Sequence, residues 1–515
     1  MLFNSYIFVL VFLPVFLILY FVVRKASYNS IGLRDACRWI IAAGSFVFYV
    51  PFGLRNTLVL IVSIALGRIM TYLISSAGNT GSGSGGTAGA KSSRQKLLFA
   101  AGLFINIGSL LFFKFSGSFF PVAVSFYTFN QISLLVDIYR GDARFPGLAD
   151  YLSYILFFPK LLQGPLMGFD EFGEKLERAL KDKLSFENLL RGLLLFSMGL
   201  FKKVILADTF GKAVDYGFDN IISLGSLEAV LVAVFYSFQL YFDFSGYCDA
   251  AMGISMMMGF DLPMNFNSPY KAVSIVDFWK RWHITLTRFF TKYVYIPLGG
   301  NRRGRMRMYL NYMAVFLLSG LWHGNGITFV IWGAIHGGLY VITKAAMSMH
   351  RDSAMKTGTS EKEVSGEMTV ADRAPHKVLI SGISSGVKVI FTFILVTAAW
   401  VFFRARTVKE AFSLFMRVIE GGKKPITTQL SSVFQLDEIW YVIKVTPIMR
   451  FNFAWDICLW LFVIAAAAIV FFFPSAADFS KNCRLGVKTT LLTAILLVWS
   501  ILSFAGVSTF LYMNF

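Results

Sequence analysis

The sequence predicts an all-α polytopic integral membrane protein, and three observations predict it. The chain of 515 residues is 56% hydrophobic and only 15% charged, with a mean hydropathy of +0.63. That is more apolar surface than one soluble core can hide, so the surplus has to face lipid. The apolar residues are gathered in runs that approach the ~20 residues needed to cross a bilayer. The net charge of +19 sits in short clusters between those runs, and an excess of Lys and Arg in short loops marks the cytoplasmic side. The expectation is roughly eleven transmembrane helices, with re-entrant and interfacial helices besides.

The clear runs are residues 6–23, 57–75, 97–113, 119–136, 189–206, 227–241, 378–403, 453–473 and 489–511; runs 39–54, 152–167, 308–321 and 327–343 are shorter or broken. No basic residue precedes Tyr6 and no small-x-small site follows the first run, so it reads as a retained span rather than a cleaved signal. Arg24, Lys25, Arg34 and Arg38 follow it and Arg302, Arg303, Arg305 and Arg307 form a second cluster. Both are expected in the cytosol, with the N-terminus outside. Charge dispersed among spans in this way argues against a nucleic-acid partner. Cys37, Cys248, Cys458 and Cys483 lack metal-ligand spacing and read as small apolar fillers, with no disulfide framework or metal site.

The expected organisation is N-terminal membrane helices over 1–75, a flexible Gly/Ser-rich loop over 76–96, a catalytic core over 97–345, a polar extramembrane insertion over 346–377, and C-terminal membrane helices over 378–515 with an interfacial segment near 405–450. His350 and His376 fall in the insertion and read as solvated.

Within the core, Asn130 is a polar exception in an apolar run, and Pro159, Gly164 and Pro165 forbid an unbroken helix over 157–167. Broken backbone at membrane depth survives only against protein or a wet cavity, so this segment is expected to line the interior. Asp243, Ser245 and Asp249 lie in a long apolar run. Either the aspartates have partners or a wet site, or they lie at the interface, where the cost of burying them falls away.

From Asp277 a helical period places Phe278, Trp282, Phe289 and Tyr293 on one face and Arg281, Arg288 and Lys292 on the other. This predicts one continuous interfacial helix, aromatic side toward the membrane and cationic side toward headgroups or an anionic ligand. His283 stands at the edge of its aromatic face, as a hydrogen-bonding group or as a catalyst. Gly299 and Gly300, followed by Arg302 and Arg303, make a turn that could hold phosphates, or simply a positive-inside loop.

His323, between Trp322 and Gly324, lies where one apolar half-segment ends and another begins. An ionisable group there is a functional candidate, and imidazole suits proton transfer near neutrality; the alternative is a neutral ring bonded to a neighbouring helix. His336 lies thirteen positions on and shares no helical face with His323. A metal site from the pair is not expected, and the glycines around His336 suggest close helix packing.

Nine motifs, taken in order, resemble the membrane-bound O-acyltransferases, specifically the bacterial branch of alginate O-acetyltransferases and their relatives. They are Pro-Val-Ala-Val-Ser-Phe-Tyr-Thr-Phe (121–129), Asp-Ile-Tyr-Arg-Gly (137–141), Phe-Phe-Pro-Lys-Leu-Leu-Gln-Gly-Pro (157–165), Tyr-Phe-Asp-Phe-Ser-Gly-Tyr-Cys-Asp (241–249), Asn-Phe-Asn-Ser-Pro-Tyr (265–270), Asp-Phe-Trp-Lys-Arg-Trp-His-Ile-Thr-Leu (277–286), Tyr-Ile-Pro-Leu-Gly-Gly-Asn-Arg (295–302), Gly-Leu-Trp-His-Gly (320–324) and Trp-Val-Phe-Phe-Arg-Ala (400–405). The resemblance implies helices arranged around a central funnel, with the family's essential histidine on His323 and its second recurrent histidine on His283. It implies an acyltransferase of a bacterial inner membrane that takes an acyl group from a cytoplasmic thioester. Acetyl-CoA or another acyl thioester would serve as donor substrate, with no permanently bound cofactor.

The acceptor would be a hydroxyl of an exported polysaccharide such as alginate, of peptidoglycan or another wall polymer, or of a periplasmic relay protein, with a separate periplasmic SGNH-type acetyltransferase as partner. Arg281, Arg302 and Arg303 would suit the phosphates of the donor. A transporter also uses broken helices and midplane polar groups, and a scaffold that recruits a separate acyltransferase is a third class. Release of free thiol from an acyl thioester separates the enzyme from a transporter. Continued polymer acetylation by a His323 variant in cells would mark the scaffold.

Overall fold

The fold is that of a computed structural model, which describes all residues except 28–29, 80–90, 118, 357–374, 437, 439, 441–443, 448–452, 507–508 and 512–515. Among the described residues the chain is helical and contains no β-strand. Eight helices among the described residues are long and apolar enough to cross a membrane: Phe8–Ser27, Leu54–Gly78, Ser93–Phe115, Ser226–Met257, Ile327–Met349, Ser385–Arg404, Ala454–Phe471 and Val487–Ala505. The chain is thus a polytopic membrane protein.

The sequence predicts about eleven, and the difference lies in helices that are shorter or carry more charge. Val124–Arg140 has 17 residues and is buried from Val124 to Ile138, so its apolar run is hidden by protein rather than by lipid. Phe186–Phe201 has 16 residues, and Ile31–Tyr49 carries Arg34, Asp35 and Arg38.

The chain forms two compact units, one of Met1–Asp208, Tyr241–Met264 and Ala476–Phe515, the other of Thr209–Leu240 and Asn265–Ser475. In the first, a row of rings from Phe8, Phe12 and Phe16 packs edge-on against Phe158 at 5.1–6.1 Å. The Pro159 region breaks as its prolines and glycine dictate: helix Leu148–Leu156 ends at Phe157 (φ −42°, ψ 101°) and a single turn, Phe158–Leu161, follows. Lys160 is 1% exposed; its Nζ donates to Asn130 Oδ1 at 3.1 Å and lies over the Tyr154 ring at 3.7 Å. Asn130, the polar exception of the sequence, is therefore an internal acceptor.

The aspartates of the 241–249 motif are buried and paired. Lys203 Nζ lies 2.7 Å from Asp243 and 2.8 Å from Asp208, and Lys202 Nζ lies 2.6 Å from Asp249. Both lysines belong to a π-helical turn, Lys202–Ala207, that continues the Phe186–Phe201 helix. Of the two readings of Asp243 and Asp249, the buried and partnered one holds.

The second unit is built on a hairpin of two helices, Arg305–His323 and Ile327–Lys356, with Pro375–Arg404 against the latter. Glycines let the hairpin close. A Cβ on Gly333 would lie 2.6 Å from the carbonyl oxygen of Phe316, and one on Gly320 would strike the carbonyl of Phe329, so only glycine permits this approach. Of the expected polar insertion over 346–377, residues 346–356 continue the hairpin helix and 375–377 open the next, while 357–374 lie outside the described residues. Most of the Gly/Ser-rich loop, 80–90, lies outside them too. Helix Val408–Glu420, within the segment expected to be interfacial, buries Ala411 and Leu414 and exposes Phe412 and Ile419.

Candidate active site

The hairpin turn places His323 where the sequence expects it. The first helix ends on His323, Gly324 is extended, and the second helix starts at Ile327. The imidazole is 3% exposed and enclosed by rings: Trp322 at 4.5 Å, Phe403 at 5.0 Å and Trp332 at 5.2 Å, the last two edge-on. Trp332 in turn stacks on Trp400 at 5.6 Å. Such a shell excludes water and lowers the local dielectric around the imidazole. Asn325, two positions past His323, is exposed and makes no side-chain hydrogen bond among the described residues.

His336 lies on the second hairpin helix and is 0% exposed. Trp279 Nε1–H donates to its Nδ1 at 3.3 Å, and its ring stands 5.0 Å from Trp332 and 5.6 Å from Trp400. The packing role read from its glycines holds at Gly337, which abuts Met313 and Phe316. Helical spacing nevertheless sets His336 apart from His323, whereas in the structure both rings share Trp332. The pattern that would have shown this is Trp332 and His336 at i, i+4, one helical face. Among the described residues no three His, Cys, Asp or Glu side chains gather as a metal site.

The expected continuous helix from Asp277 is corrected. Two short helices, Ile275–Arg281 and Ile284–Phe290, are separated at Trp282 and His283, and His283 takes a left-handed backbone (φ 45°). The cause lies upstream in the 265–270 motif: Asn267 N–H donates to Arg281 O and Ile284 N–H to Asn265 O, both at 3.0 Å. Asn265 Oδ1 accepts from His283 Nδ1 at 3.0 Å and from Thr285 Oγ1 and N–H at 3.0 and 3.2 Å. Since a carbonyl oxygen can only accept, His283 carries its proton on Nδ1.

Burial lowers the His283 pKa to about 3, so the ring is neutral at physiological pH. The aromatic face of this segment also turns inward rather than into lipid: Phe278 is 0% and Trp282 1% exposed, stacked on each other at 5.5 Å, with Trp282 5.0 Å from Trp400.

Of the cationic candidates, Arg302 and Arg303 stand apart from His323. Arg281 pairs with Asp277 at 2.9 Å. Arg302 and Arg303 are exposed on the turn whose Gly299 and Gly300 have positive φ, and Asn311 Nδ2 donates to Gly300 O at 2.9 Å to pin it. That turn precedes Arg305 while His323 closes the same helix, a separation of about 27 Å at 1.5 Å per residue.

Comparisons with known proteins identify the family. Residues 133–366 match the model of the membrane-bound O-acyltransferase (MBOAT) family. A peptidoglycan O-acetyltransferase of Helicobacter pylori is 31% identical over 561 residues, covering 100% of this chain and 98% of that protein. A probable alginate O-acetylase, AlgI, of Pseudomonas fluorescens is 32% identical, covering 82% of this chain and 76% of that protein. A teichoic acid D-alanyltransferase of Bacillus subtilis is 30% identical over 42% of this chain and 56% of its own length.

Proposed function

The chain belongs to the membrane-bound O-acyltransferase family, and from that premise we propose that it moves an acetyl group from a cytoplasmic thioester, acetyl-CoA or a carrier of like chemistry, to a hydroxyl of an extracytoplasmic polysaccharide, with His323 as general base. It is an acyltransferase with O-acetyltransferase relatives and needs a group that activates a hydroxyl. The observation that carries the assignment is His323 at the break between the two hairpin helices, 3% exposed within an aromatic shell.

A hydroxyl is a poor nucleophile at its free pKa and needs a base within hydrogen-bond reach. The acceptor oxygen bonds to the thioester carbonyl carbon as His323 takes its proton. The C–S bond then breaks and the thiolate leaves, recovering a proton from the imidazolium. Entry of the reactants requires the surrounding rings to move aside. His283, neutral and bonded to Asn265, suits a positioning role. Arg302, Arg303 and Arg281 would draw an anionic donor to the cytoplasmic face by charge, with the thioester delivered along the helix.

The full-length match to the peptidoglycan enzyme, against partial matches to the alginate enzymes, favours peptidoglycan as the polymer. The membrane would be a bacterial inner membrane, and a periplasmic SGNH-type acetyltransferase is the partner the resemblance implies for the final transfer. The test is His323→Ala in reconstituted vesicles, reading thiol release from acetyl-CoA and O-acetyl content of the cell-surface glycan. The expected result is a loss of about 10²-fold or more in turnover with normal membrane insertion. Turnover within a few-fold of the parent chain removes His323 as the base.

A further inference from the structure

Three N–H donors are buried on a cluster of rings that meets His323 through Trp332, with no acceptor among the described residues. Because Trp279 donates to His336 Nδ1, the lone pair of His336 is committed there and its neutral ring carries the proton on Nε2. That Nε2–H has no partner, and neither do the indole N–H groups of Trp332 and Trp400. All three side chains are 0% exposed. Their rings form a triangle with sides of 5.0, 5.6 and 5.6 Å, one corner of which, Trp332, touches His323 at 5.2 Å.

A buried donor without an acceptor costs about as much as a broken hydrogen bond, so native interiors hold few and each one calls for a cause. Three on adjacent rings, all donors and none an acceptor, select a ligand atom that brings lone pairs and negative charge. A cation is excluded by the sign of the N–H dipoles, and a hydroxyl proton by the absence of a lone pair.

We propose that His336 Nε2–H, with the indole N–H groups of Trp332 and Trp400, forms the site that holds the thioester carbonyl oxygen and stabilises it as an oxyanion during acyl transfer. This rests on the reading of His323 as the base that faces the same carbon. As the acceptor oxygen bonds to the carbonyl carbon, the C=O π pair moves onto oxygen, and the hydroxyl proton passes to His323. The oxyanion then re-forms C=O and expels the thiolate, which recovers the proton. Charge on that oxygen is largest between these steps, and fixed donors there act without reorganisation in a water-poor site. Trp332 and His336 lie in the span Ile327–Met349, and Trp400 in Ser385–Arg404, where low dielectric strengthens the effect.

The test uses the full chain in vesicles with acetyl-CoA. Trp332→Phe, Trp400→Phe and His336→Phe delete each N–H while keeping a ring, and His336→Gln keeps a side-chain N–H donor. The expected result is a fall in kcat of about 10²-fold for Trp332→Phe and His336→Phe, the size seen on removing one oxyanion donor. KM for the donor should stay within about threefold, and His336→Gln should recover most of the rate. All three Phe variants within about threefold of parent kcat would mean that packing or a resident water meets these donors, and would overturn the proposal.

A second measurement separates this from simple loss of structure. In a His323→Ala background, carbonyl-labelled acetyl-CoA should bind unreacted, with its carbonyl stretch lowered relative to water. Adding Trp332→Phe or His336→Phe should reduce that lowering, and an unchanged stretch in both overturns the assignment. Turnover by His323→Ala itself would instead refute the base, a distinct failure.

Discussion

His283 holds a left-handed backbone (φ 45°) that side chains other than glycine, asparagine and aspartate adopt at some cost. Its bond to Asn265 Oδ1 keeps it there. His283→Ala keeps the backbone demand and loses the bond, so it should destabilise by about 1–3 kcal/mol, whereas His283→Asn tolerates the conformation and retains a donor. Melting temperature in detergent reads the difference.

Burial holds the folded pKa at about 3 against an ordinary 6.5. A depressed pKa means that the unfolded chain binds the extra proton, so the contribution is complete above pH 6.5 and is lost as pH falls toward 3. Acid should therefore cost the parent more than His283→Asn, and a stability gap between them that is constant between about pH 7 and pH 4 would show that the ring is not held neutral. The position of His323 was legible in the sequence because a polar group between two apolar half-runs stands out locally. The rest of the aromatic shell was not, because Phe403 against His323 and Trp400 against Trp332 arrive roughly seventy to eighty residues later.

The same division appears in the helices. The spans were legible wherever one stripe faces lipid, since composition alone marks them. The break at His283 was not, because aromatic periodicity argued for a continuous helix and the contacts that interrupt it come from Asn265, 18 residues earlier. Asp243 and Asp249 were conspicuous as charges in an apolar run, but their lysines lie 40 and 47 residues away, at the end of a run that read as a simple span.

The Lys202–Asp249 pair allows a clean test, with side chains 9% and 10% exposed. Lys202→Met leaves a buried carboxylate without its counter-charge and should cost about 3–5 kcal/mol. Lys202→Met with Asp249→Leu removes both charges and should regain most of that loss, because a buried pair replaced by apolar side chains is often neutral. Thermal unfolding of the three variants checks this, and equal losses in the single and double variants would mean that the pair is needed for its charge and not merely matched.

At the scale of the whole molecule, the Arg305–His323 helix sets the geometry of two-sided chemistry. Its 19 residues span about 28 Å at 1.5 Å per residue, close to the ~30 Å hydrocarbon thickness. On the proposed function, a helix of that length with Arg302, Arg303, Arg305 and Arg307 at its start would anchor that end in the cytosol and carry His323 toward the opposite face. The acceptor would then have the short approach, and the donor's thioester the long one.

This is open to direct labelling in a background in which the four native cysteines are replaced. Arg302→Cys should react with a membrane-impermeant maleimide only after permeabilisation, and Asn325→Cys, on an exposed residue two positions past His323, should react in intact cells. Labelling of both from one side would lay the helix along the membrane and leave one substrate without a route. Labelling with the sides reversed would turn the chain over, and with it the assignment of donor to cytosol and acceptor to the exterior, because the imidazole would then open toward the compartment that holds the thioester rather than the one that holds the glycan.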